Sequence, residues 1–158
     1  MRKANREIKD RDGILAVIQN SDVCRIGLYA DGQVYIVPMS FGFDMDESGA
    51  LTLYFHCANE GRKLDMIAKN PEVCFEMDTD HMYVPGEDGK ACNSTMNYAS
   101  VIGNGHIEIL TDEDERISAL TTIMKHYSKK EHFDFDAAIL KQTTVLKLTA
   151  YSYTGKRR

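Results

Sequence analysis

Residues 55–78 have the sequence FHCANEGRKLDMIAKNPEVCFEMD, in which an apolar strand-like run, a short helical pattern and a second strand-like run follow one another. Asn59 is a candidate N-cap for the helix, and Asn70-Pro71 should end it, because the residue before a proline avoids the helical conformation. The apolar positions recur at spacings of three and four, as one buried helix face requires: Leu64, Ile67 and Ala68.

Two cations, Arg62 and Lys63, stand where this predicted helix begins. Positive side chains in a first helical turn are unfavourable by about 0.3–1 kcal/mol each. One interpretation is that both side chains and the free N–H groups of the first turn hold a phosphate, with Gly61 allowing close approach. The other is that both side chains extend into solvent and the small penalty is tolerated.

The size and charge of the chain limit its function. Its 158 residues fit one domain, spanning residues 1–158. A net charge of -5 argues against broad nucleic-acid binding. The first residues lack the apolar segment of a secretory signal, and no run of about 18 apolar residues predicts a membrane span. We therefore expect a cytoplasmic protein with neither a membrane nor a nucleic-acid partner.

The remaining sequence predicts mostly antiparallel strands. An Asp31-Gly32 pair between two β-rich runs is typical of a hairpin, so residues 23–29, 34–43 and 51–55 should form a three-stranded meander. Further strands are expected at residues 73–78, 98–110 and 144–151. Helices are expected near residues 14–18, with Asp10 or Asp12 as cap, at 112–127, where Thr111 begins a capping-box spacing, and at 136–141. The resulting class is α+β, mainly β: a six-stranded antiparallel barrel with flanking helices.

Two segments have more than one interpretation. Residues 81–97 are predicted to form a polar loop. Gly103-Asn104-Gly105 lacks the third glycine of a dinucleotide loop, and a bulged strand that lets a ligand or another chain approach is favoured.

The residue spacings do not predict a metal site. The four cysteines form no CxxC pair and are expected to be buried or inert, and the five histidines form neither HxH nor HExxH. Residues 44–55 have calcium-loop spacing, but their twelfth position is Phe55 where a glutamate is needed. A hairpin turn is the favoured interpretation there.

Four stretches occur together in a familiar order: CRIGLYADGQVYIVPMSFGF, LTLYFHCANEGRKLDMIAKNPEVCFEMD, YASVIGNGHIEIL and LKLTAYSYTGKRR. In this combination the chain resembles the pyridoxamine 5′-phosphate oxidase-like family of FMN-binding split barrels. Within that family it is most similar to the branch related to nitroimidazole-resistance flavoproteins. The strand-GRK-helix-NPxV-strand block is the most specific part of the resemblance.

The resemblance implies a homodimer with FMN bound at the subunit interface. Arg62 and Lys63, with Gly61, match the position that holds the FMN phosphate. Ser100 matches a polar contact that the second subunit could supply. Two further groups match positions that line the flavin: the strand edge Val37, Pro38, Met39, Ser40 and Phe41, and the strand residues His56 and Cys57.

The function implied is that of an FMN-dependent oxidoreductase. It would reduce a small organic acceptor, such as a nitroaromatic or nitroimidazole, with electrons from a small-molecule donor such as a reduced nicotinamide nucleotide. His56 is the candidate proton donor, although a structural hydrogen bond is an equal alternative. The chain's ending, AYSYTGKRR, does not match the substrate segment of pyridoxamine phosphate oxidase proper, so vitamin B6 oxidation is not expected.

Two other functions are compatible with this sequence. One is a non-catalytic flavin-binding protein for storage or sensing. The other is a heme-binding split barrel with His126 or His56 as axial ligand.

Overall fold

A computed structural model describes residues 3–87 and 89–158, and this part of the chain forms four α-helices around one eight-stranded sheet. The strands are β1 (Glu7–Ile8), β2 (Cys24–Ala30), β3 (Gln33–Met39), β4 (Gly42–Met45), β5 (Leu51–Ala58), β6 (Glu72–Val84), β7 (Thr95–Leu110) and β8 (Thr143–Arg157). The helices are α1 (Arg11–Asn20), α2 (Arg62–Lys69), α3 (Glu113–Tyr127) and α4 (Ala137–Lys141).

The strand order is β3-β2-β6-β7-β8-β5-β4, with β1 paired to β8, and every pair is antiparallel. The predicted mainly β class is confirmed, with eight strands in place of six. The predicted strand at residues 34–43 breaks at Ser40-Phe41 into β3 and β4, and Glu7–Ile8 adds the extra strand β1. Because β3 and β4 are consecutive in the chain but lie at opposite ends of the strand order, the sheet curls until its two edges meet.

The predicted three-stranded meander is wrong for the same reason. β3 pairs with β2, whereas β4 pairs with β5, whose other neighbour is β8. The two hairpins therefore lie at opposite edges of the sheet, and the break at Ser40-Phe41 carries the chain from one to the other.

The core fills the curled sheet with the inward side chains of the strands, which alternate with outward ones. Phe55 and Phe75 are fully buried there, and Ile14, Val17 and Ile18 of α1 pack into the same cluster. A second, smaller cluster lies outside β5 and β8, where Leu120 and other residues of α3 meet Leu140 of α4 and Val145 of β8. The sheet is thus covered by helices on one side of its outer surface.

Local chemistry fixes several element ends. Asp10 caps α1 by accepting a hydrogen bond of 2.6 Å from the Gly13 N–H. Asp31 and Gly32 both have positive φ, 52° and 75°, which is the conformation of a type I′ turn between β2 and β3. The N-cap of α3 is Asp112, one residue beyond the predicted Thr111, because its carboxylate reaches the Glu115 N–H. The helix predicted at residues 136–141 is α4, and Asp136 is its N-cap.

The hairpin between β6 and β7 is longer than expected. β6 continues to Val84 and β7 begins at Thr95, so the loop predicted at residues 81–97 shrinks to residues 85–94, of which Asp88 lies outside the described residues. Cross-strand pairing, such as Tyr83 with Met96, continues the sheet into a segment whose polar composition suggested a loop.

The bulge predicted at Gly103-Asn104-Gly105 is confirmed by a register shift against β8 between Asn104 and Gly105. The atoms that approach Gly103 and Gly105 closely belong to the same chain and not to a ligand or a second chain. A Cβ on Gly103 would lie 2.4 Å from Cζ of Phe75, and one on Gly105 would lie 2.6 Å from Cδ2 of Leu148.

Candidate functional site

The N-terminus of α2 is open to approach. Its N-cap is Gly61, whose φ of 132° suits glycine alone, and no side chain caps the helix. A Cβ on Gly61 would meet no atom within 4 Å. The first two N–H groups of the helix, those of Arg62 and Lys63, are therefore available to a ligand, since the hydrogen bonds to the Gly61 carbonyl begin at Leu64.

Asn59, the N-cap expected from the sequence, acts elsewhere. Its side-chain amide donates to the Lys141 carbonyl at 2.8 Å, and its oxygen accepts from the Thr144 hydroxyl at 2.9 Å. The predicted cap is wrong because two further residues, Glu60 and Gly61, separate Asn59 from the first helical residue.

The two cations at this helix end contact neutral groups of β3. Arg62 donates from Nη2 to Oε1 of Gln33 at 2.9 Å, and its guanidinium carbon lies 4.5 Å from the centroid of the Tyr35 ring. Nζ of Lys63 lies 3.6 Å from Sδ of Met39, a weak acceptor. The hairpin β2–β3 therefore holds both cations beside the open helix end.

Neither cation has an ion-pair partner among residues 3–87 and 89–158. Other cations do: Arg25 lies 2.7 Å from Asp78, and Lys69, at the other end of α2, pairs with Asp31 at 2.5 Å. Two unpaired cations, two N–H groups and the positive end of a helix dipole together make a site for an anion with several oxygens, such as a phosphate. The residues present fit a phosphorylated cofactor.

β3 and β5 extend this site with apolar surface. Val37 and Met39 lie on the face of β3 turned toward α2, whereas Pro38 alternates to the outer face. Cys57 and Val37 both pack against the barrel core. The cysteines were expected to be buried or inert: Cys24 is buried and Cys57 half-buried, whereas Cys74 and Cys92 are exposed, so burial does not hold for these two. Burial raises the pKa of the Cys24 thiol to about 12.

The break between β3 and β4 is held from α3. The Phe41 N–H donates to the hydroxyl of Tyr127 at 2.9 Å, and the buried Phe41 ring lies 4.5 Å from the ring of His126. Burial raises the pKa of Tyr127. The Nε2 atom of His126 lies 2.8 Å from the carbonyl oxygen of Ser21. Phe41 and His126 therefore support the shape of the break, and Ser40 remains exposed at its edge.

His56 points away from this anion site. Adjacent strand residues face opposite sides of a sheet, so His56 projects outward while Cys57 projects inward. The His56 ring lines an apolar pocket beneath α3 and α4. Its imidazole forms no hydrogen bond or ion pair with the described part of the chain.

Ser100 also lies apart from Arg62 and Lys63. It is opposite Asp78 of β6 and Lys156 of β8, on the outer surface of β7. Three strand spacings of about 4.8 Å, or about 14 Å in all, separate β7 from β3. One chain does not bring Ser100 to the cations of α2.

Arg62 has two neutral partners, Gln33 and Tyr35, and sequence reasoning found neither of them. Gln33 directly follows the Asp31-Gly32 turn, so the hairpin signal could have placed it at the start of β3. No local signal indicated that α2 would lie beside that hairpin.

Residues 3–87 and 89–158 contain neither a cluster of metal-ligand side chains nor a membrane-spanning helix. No three His, Cys, Asp or Glu side chains lie together as metal ligands would. No helix in these ranges has the length and apolar character that crossing a membrane requires.

Comparisons with known proteins agree with this fold. The family model described as pyridoxamine 5′-phosphate oxidase matches residues 10–157. A comparison with curated proteins gave no match.

Solved structures resemble the chain over nearly its whole length. A proposed 5-nitroimidazole antibiotic resistance protein from Bacteroides thetaiotaomicron is 32% identical, with 96% of this chain and 86% of that chain covered and a TM-score of 0.81. The flavocytochrome Anf3 from Azotobacter vinelandii is 19% identical, with 100% and 72% covered and a TM-score of 0.82. The FAD and heme binding protein from Mycobacterium smegmatis is 17% identical, with 96% and 73% covered and a TM-score of 0.81.

The last two similarities concern the fold alone, whereas the family match and the Bacteroides protein concern sequence as well. The chain therefore belongs to the pyridoxamine 5′-phosphate oxidase-like family, in the branch of the nitroimidazole resistance proteins.

Proposed function

We propose that this protein binds FMN and is an oxidoreductase that passes electrons from a small-molecule donor to a small organic acceptor, of the nitroaromatic class. The observation that carries the proposal is the pair of cations, Arg62 and Lys63, at an open helix N-terminus, for which the described residues supply no carboxylate partner. The Bacteroides relative, described by its role in nitroimidazole resistance, supports the acceptor class.

The residues of α2 and β3 would divide the binding of the cofactor between them. Arg62 and Lys63, with their two N–H groups, hold the phosphate, and Gln33 keeps the guanidinium in place. Val37, Met39 and Cys57 offer apolar surface beside it. The flavin, when bound, supplies the redox chemistry, so the chain needs only to position it and leave one ring face accessible. His56, which has no partner within the described part of the chain, is available to donate a proton to the reduced acceptor.

We also propose that the site is completed by a second copy of the chain. The outward side chains of β3, β2, β6 and β7 form a surface that we call the open face, and it carries exposed apolar residues. Val34 and Ile36 are 68% and 62% exposed, and Ile102 lies on β7. Arg25 lies there beside Glu76 and Asp78, so the face presents charges of both signs and can complement itself across a twofold axis.

Ser100 gives a further reason for a homodimer. It belongs to the open face, about 14 Å from β3 in its own chain. A partner packed on this face could bring its own Ser100 toward the flavin site, as the family resemblance implies.

The first experiment is the visible absorption spectrum of the purified protein, followed by release and chromatography of the chromophore. Two flavin bands and released FMN are expected. A colourless protein that takes up no added FMN, or a Soret band in place of the flavin bands, would overturn the proposal. Bound FMN that neither NADH nor NADPH reduces would favour the storage or sensing alternative.

The phosphate assignment is tested by Lys63→Ala. Loss of a charge-assisted hydrogen bond should weaken FMN binding by about 1.5–3 kcal/mol. Riboflavin, which has no phosphate, should bind the variant as it binds the parent protein. Both affinities can be measured by fluorescence quenching on titration of the apoprotein.

Lys69→Ala is the matched control, because Lys69 lies on the same helix but pairs with Asp31 at its far end. It should leave the FMN affinity unchanged. Equal losses of FMN and riboflavin affinity in Lys63→Ala would contradict a phosphate contact.

A further inference from the structure

The pocket beneath α3 and α4 is separate from the cation site and has a volume of about 190 Å³. It lies over the outward face of β5, between the end of α3 and the short helix α4. Its floor is buried and its rim is exposed: Met124 is 40% and Ile139 62% exposed. Six apolar side chains line it: Leu120, Ile123, Met124, Phe135, Ile139 and Leu140.

Three polar side chains also line the pocket, and two of them already form hydrogen bonds within the chain. The Asp136 carboxylate accepts hydrogen bonds from the N–H groups of Ala138 and Ile139. The Thr143 hydroxyl donates to the Ile139 carbonyl at 2.9 Å. His56 is the third, and it has no hydrogen-bond partner in residues 3–87 and 89–158. Since a carboxylate only accepts and the Thr143 hydroxyl already donates, the imidazole N–H is the one side-chain donor of the lining that is free to orient a ligand.

The walls of the pocket are fixed before any ligand enters. Arg116 of α3 donates from Nη2 to the carbonyls of Leu140, at 2.5 Å, and of Thr143, at 2.9 Å. Asn59 donates to the Lys141 carbonyl from the other side. These bonds hold the C-terminal end of α4, so a ligand that enters the pocket need not order it.

Volume and chemistry limit what the pocket can hold. A dry apolar cavity of about 150 Å³ in another protein holds one benzene molecule, so this pocket has room for one ring with a small substituent. The thioether of Met124 and the ring of Phe135 suit an aromatic face. The Asp136 carboxylate disfavours an anionic ligand, and no lysine or arginine lines the pocket to offset it.

We infer that the pocket beneath α3 and α4 binds a neutral monocyclic aromatic compound with an acceptor group, such as a nitro or carbonyl group, that accepts a hydrogen bond from the imidazole N–H of His56. The binding itself is independent of the cofactor. The further identification of this compound as the electron acceptor rests on the proposed function. His56 lies six residues before Arg62, at most about 21 Å along the chain, so the pocket and the cation site flank the same short segment.

The test is an NMR titration of the purified protein with nitrobenzene and with toluene, which share a ring but differ in the acceptor group. Nitrobenzene should bind about fivefold more tightly, as one net hydrogen bond allows. Ile139→Trp fills the rim and should weaken both ligands at least tenfold. Ala138→Trp, at the next position on α4 but outside the lining, should change neither by more than twofold.

His56→Phe separates the hydrogen bond from the apolar contact. It should bind toluene as the parent protein does and lose the preference for nitrobenzene. Equal effects of Ile139→Trp and Ala138→Trp, in proteins with the parent circular dichroism spectrum, would overturn the inference. A preference for nitrobenzene that survives in His56→Phe would overturn the role of the imidazole.

The same titration distinguishes this inference from the proposed function. Ile139-dependent binding of the ring by a protein that neither contains nor takes up FMN would support the pocket and overturn the proposed oxidoreductase. A protein that reduces nitrobenzene through bound FMN, with a KM unchanged by Ile139→Trp, would leave the oxidoreductase standing and overturn the pocket as its acceptor site.

Discussion

The outer surface of the curled sheet has two unlike halves. Over β5 and β8, helices α3 and α4 bury an apolar cluster that includes Leu120, Leu140 and Val145, and Tyr54 packs against it. Burial there, with the Asp44 carboxylate nearby, raises the pKa of Tyr54 to about 12. On the open face, apolar side chains such as Val34 and Ile36 remain exposed. In both halves, inward and outward side chains alternate along each strand. The halves therefore differ only in what covers their outward side chains.

An exposed apolar sheet face is unfavourable unless something packs on it. The chain covers one half of its barrel with its own C-terminal helices. The open face must obtain its cover from elsewhere, and its mixture of apolar strands with charges of both signs suits a second copy of itself. The exposed apolar residues of the open face therefore predict that two copies of the chain pack together there.

The largest expected effect follows from charging the open face. The double variant Val34→Glu/Ile36→Glu places two added negative charges on each copy, and each substitution occurs twice in a twofold interface. The dissociation constant of the dimer should rise at least about a thousandfold, or about 4 kcal/mol. Sedimentation velocity over a concentration series measures it.

Ala137→Glu, on exposed α4 in the covered half, is the control and should remain dimeric. A double variant that sediments as the parent dimer would show that the open face is not the interface. A monomeric parent protein would remove the proposed assembly altogether.

Substitution of one glycine in each half should change the free energy of unfolding by different amounts. A Cβ on Gly42 would lie 2.5 Å from the Ile123 nitrogen and 2.6 Å from the Thr122 carbonyl carbon, because the backbone of α3 rests on it. A Cβ on Gly27, on the open face, would meet nothing closer than the Cys74 carbonyl oxygen at 3.6 Å. Gly42→Ala should lower the free energy of unfolding by about 2–3 kcal/mol, and Gly27→Ala should change it by less than about 0.5 kcal/mol.

Urea denaturation of both glycine variants in the Val34→Glu/Ile36→Glu background measures this difference without a contribution from dimerisation. Similar losses at the two positions would mean that α3 can shift away from Gly42 at little cost. The covered half would then be less tightly packed than its contacts indicate.

Local signals in the sequence predicted the parts of the fold that local chemistry controls. The Asp31-Gly32 turn and the Asp10 cap each depend on residues within three positions of one another. The break at Ser40-Phe41 was missed because the hydroxyl that holds it, that of Tyr127, lies 86 residues away in sequence. The pairing of β4 with β5 follows from that break, and so the meander was wrong.

The candidate site likewise has one part that the local sequence predicted and one part that it did not. The unusual charge at the start of α2 drew attention to Arg62 and Lys63, whereas their partners Gln33 and Met39 come from a hairpin 29 and 24 residues earlier. The pocket beneath α3 and α4 was missed because its lining comes from β5, α3 and α4, whose packing no local pattern indicates. Met124, on its rim, is 40% exposed.

The smallest expected effect concerns the charges of the open face. Burial alone would raise the pKa of Asp78, but hydrogen bonding and charge from Arg25, together with His81, hold it below the usual value. Nη1 of Arg25 lies 2.7 Å from Oδ1 of Asp78, and Nε2 of His81 lies 3.0 Å from Oδ2. A carboxyl whose pKa is lower in the folded state contributes stability above its unfolded pKa of about 3.9, and this is lost as the pH falls through the folded value.

Asp78→Asn should therefore flatten the acid side of the stability profile below about pH 5. The effect should be less than about 1 kcal/mol, because both partners are partly exposed and solvent screens them. Asp134→Asn, on an exposed segment before α4, is the control and should leave the profile unchanged. Thermal unfolding from pH 3 to 7 measures both.

The same profile, measured in the Val34→Glu/Ile36→Glu monomer, tests whether the pair of Arg25 and Asp78 lies in the interface. If a second copy covers Arg25 and Asp78, it removes water from their ion pair. Asp78→Asn should then change the stability of the dimer more than that of the monomer. An Asp78→Asn effect of equal size in both would mean that this pair lies outside the interface, and the contact would then be confined to the apolar side of the open face around Val34 and Ile36.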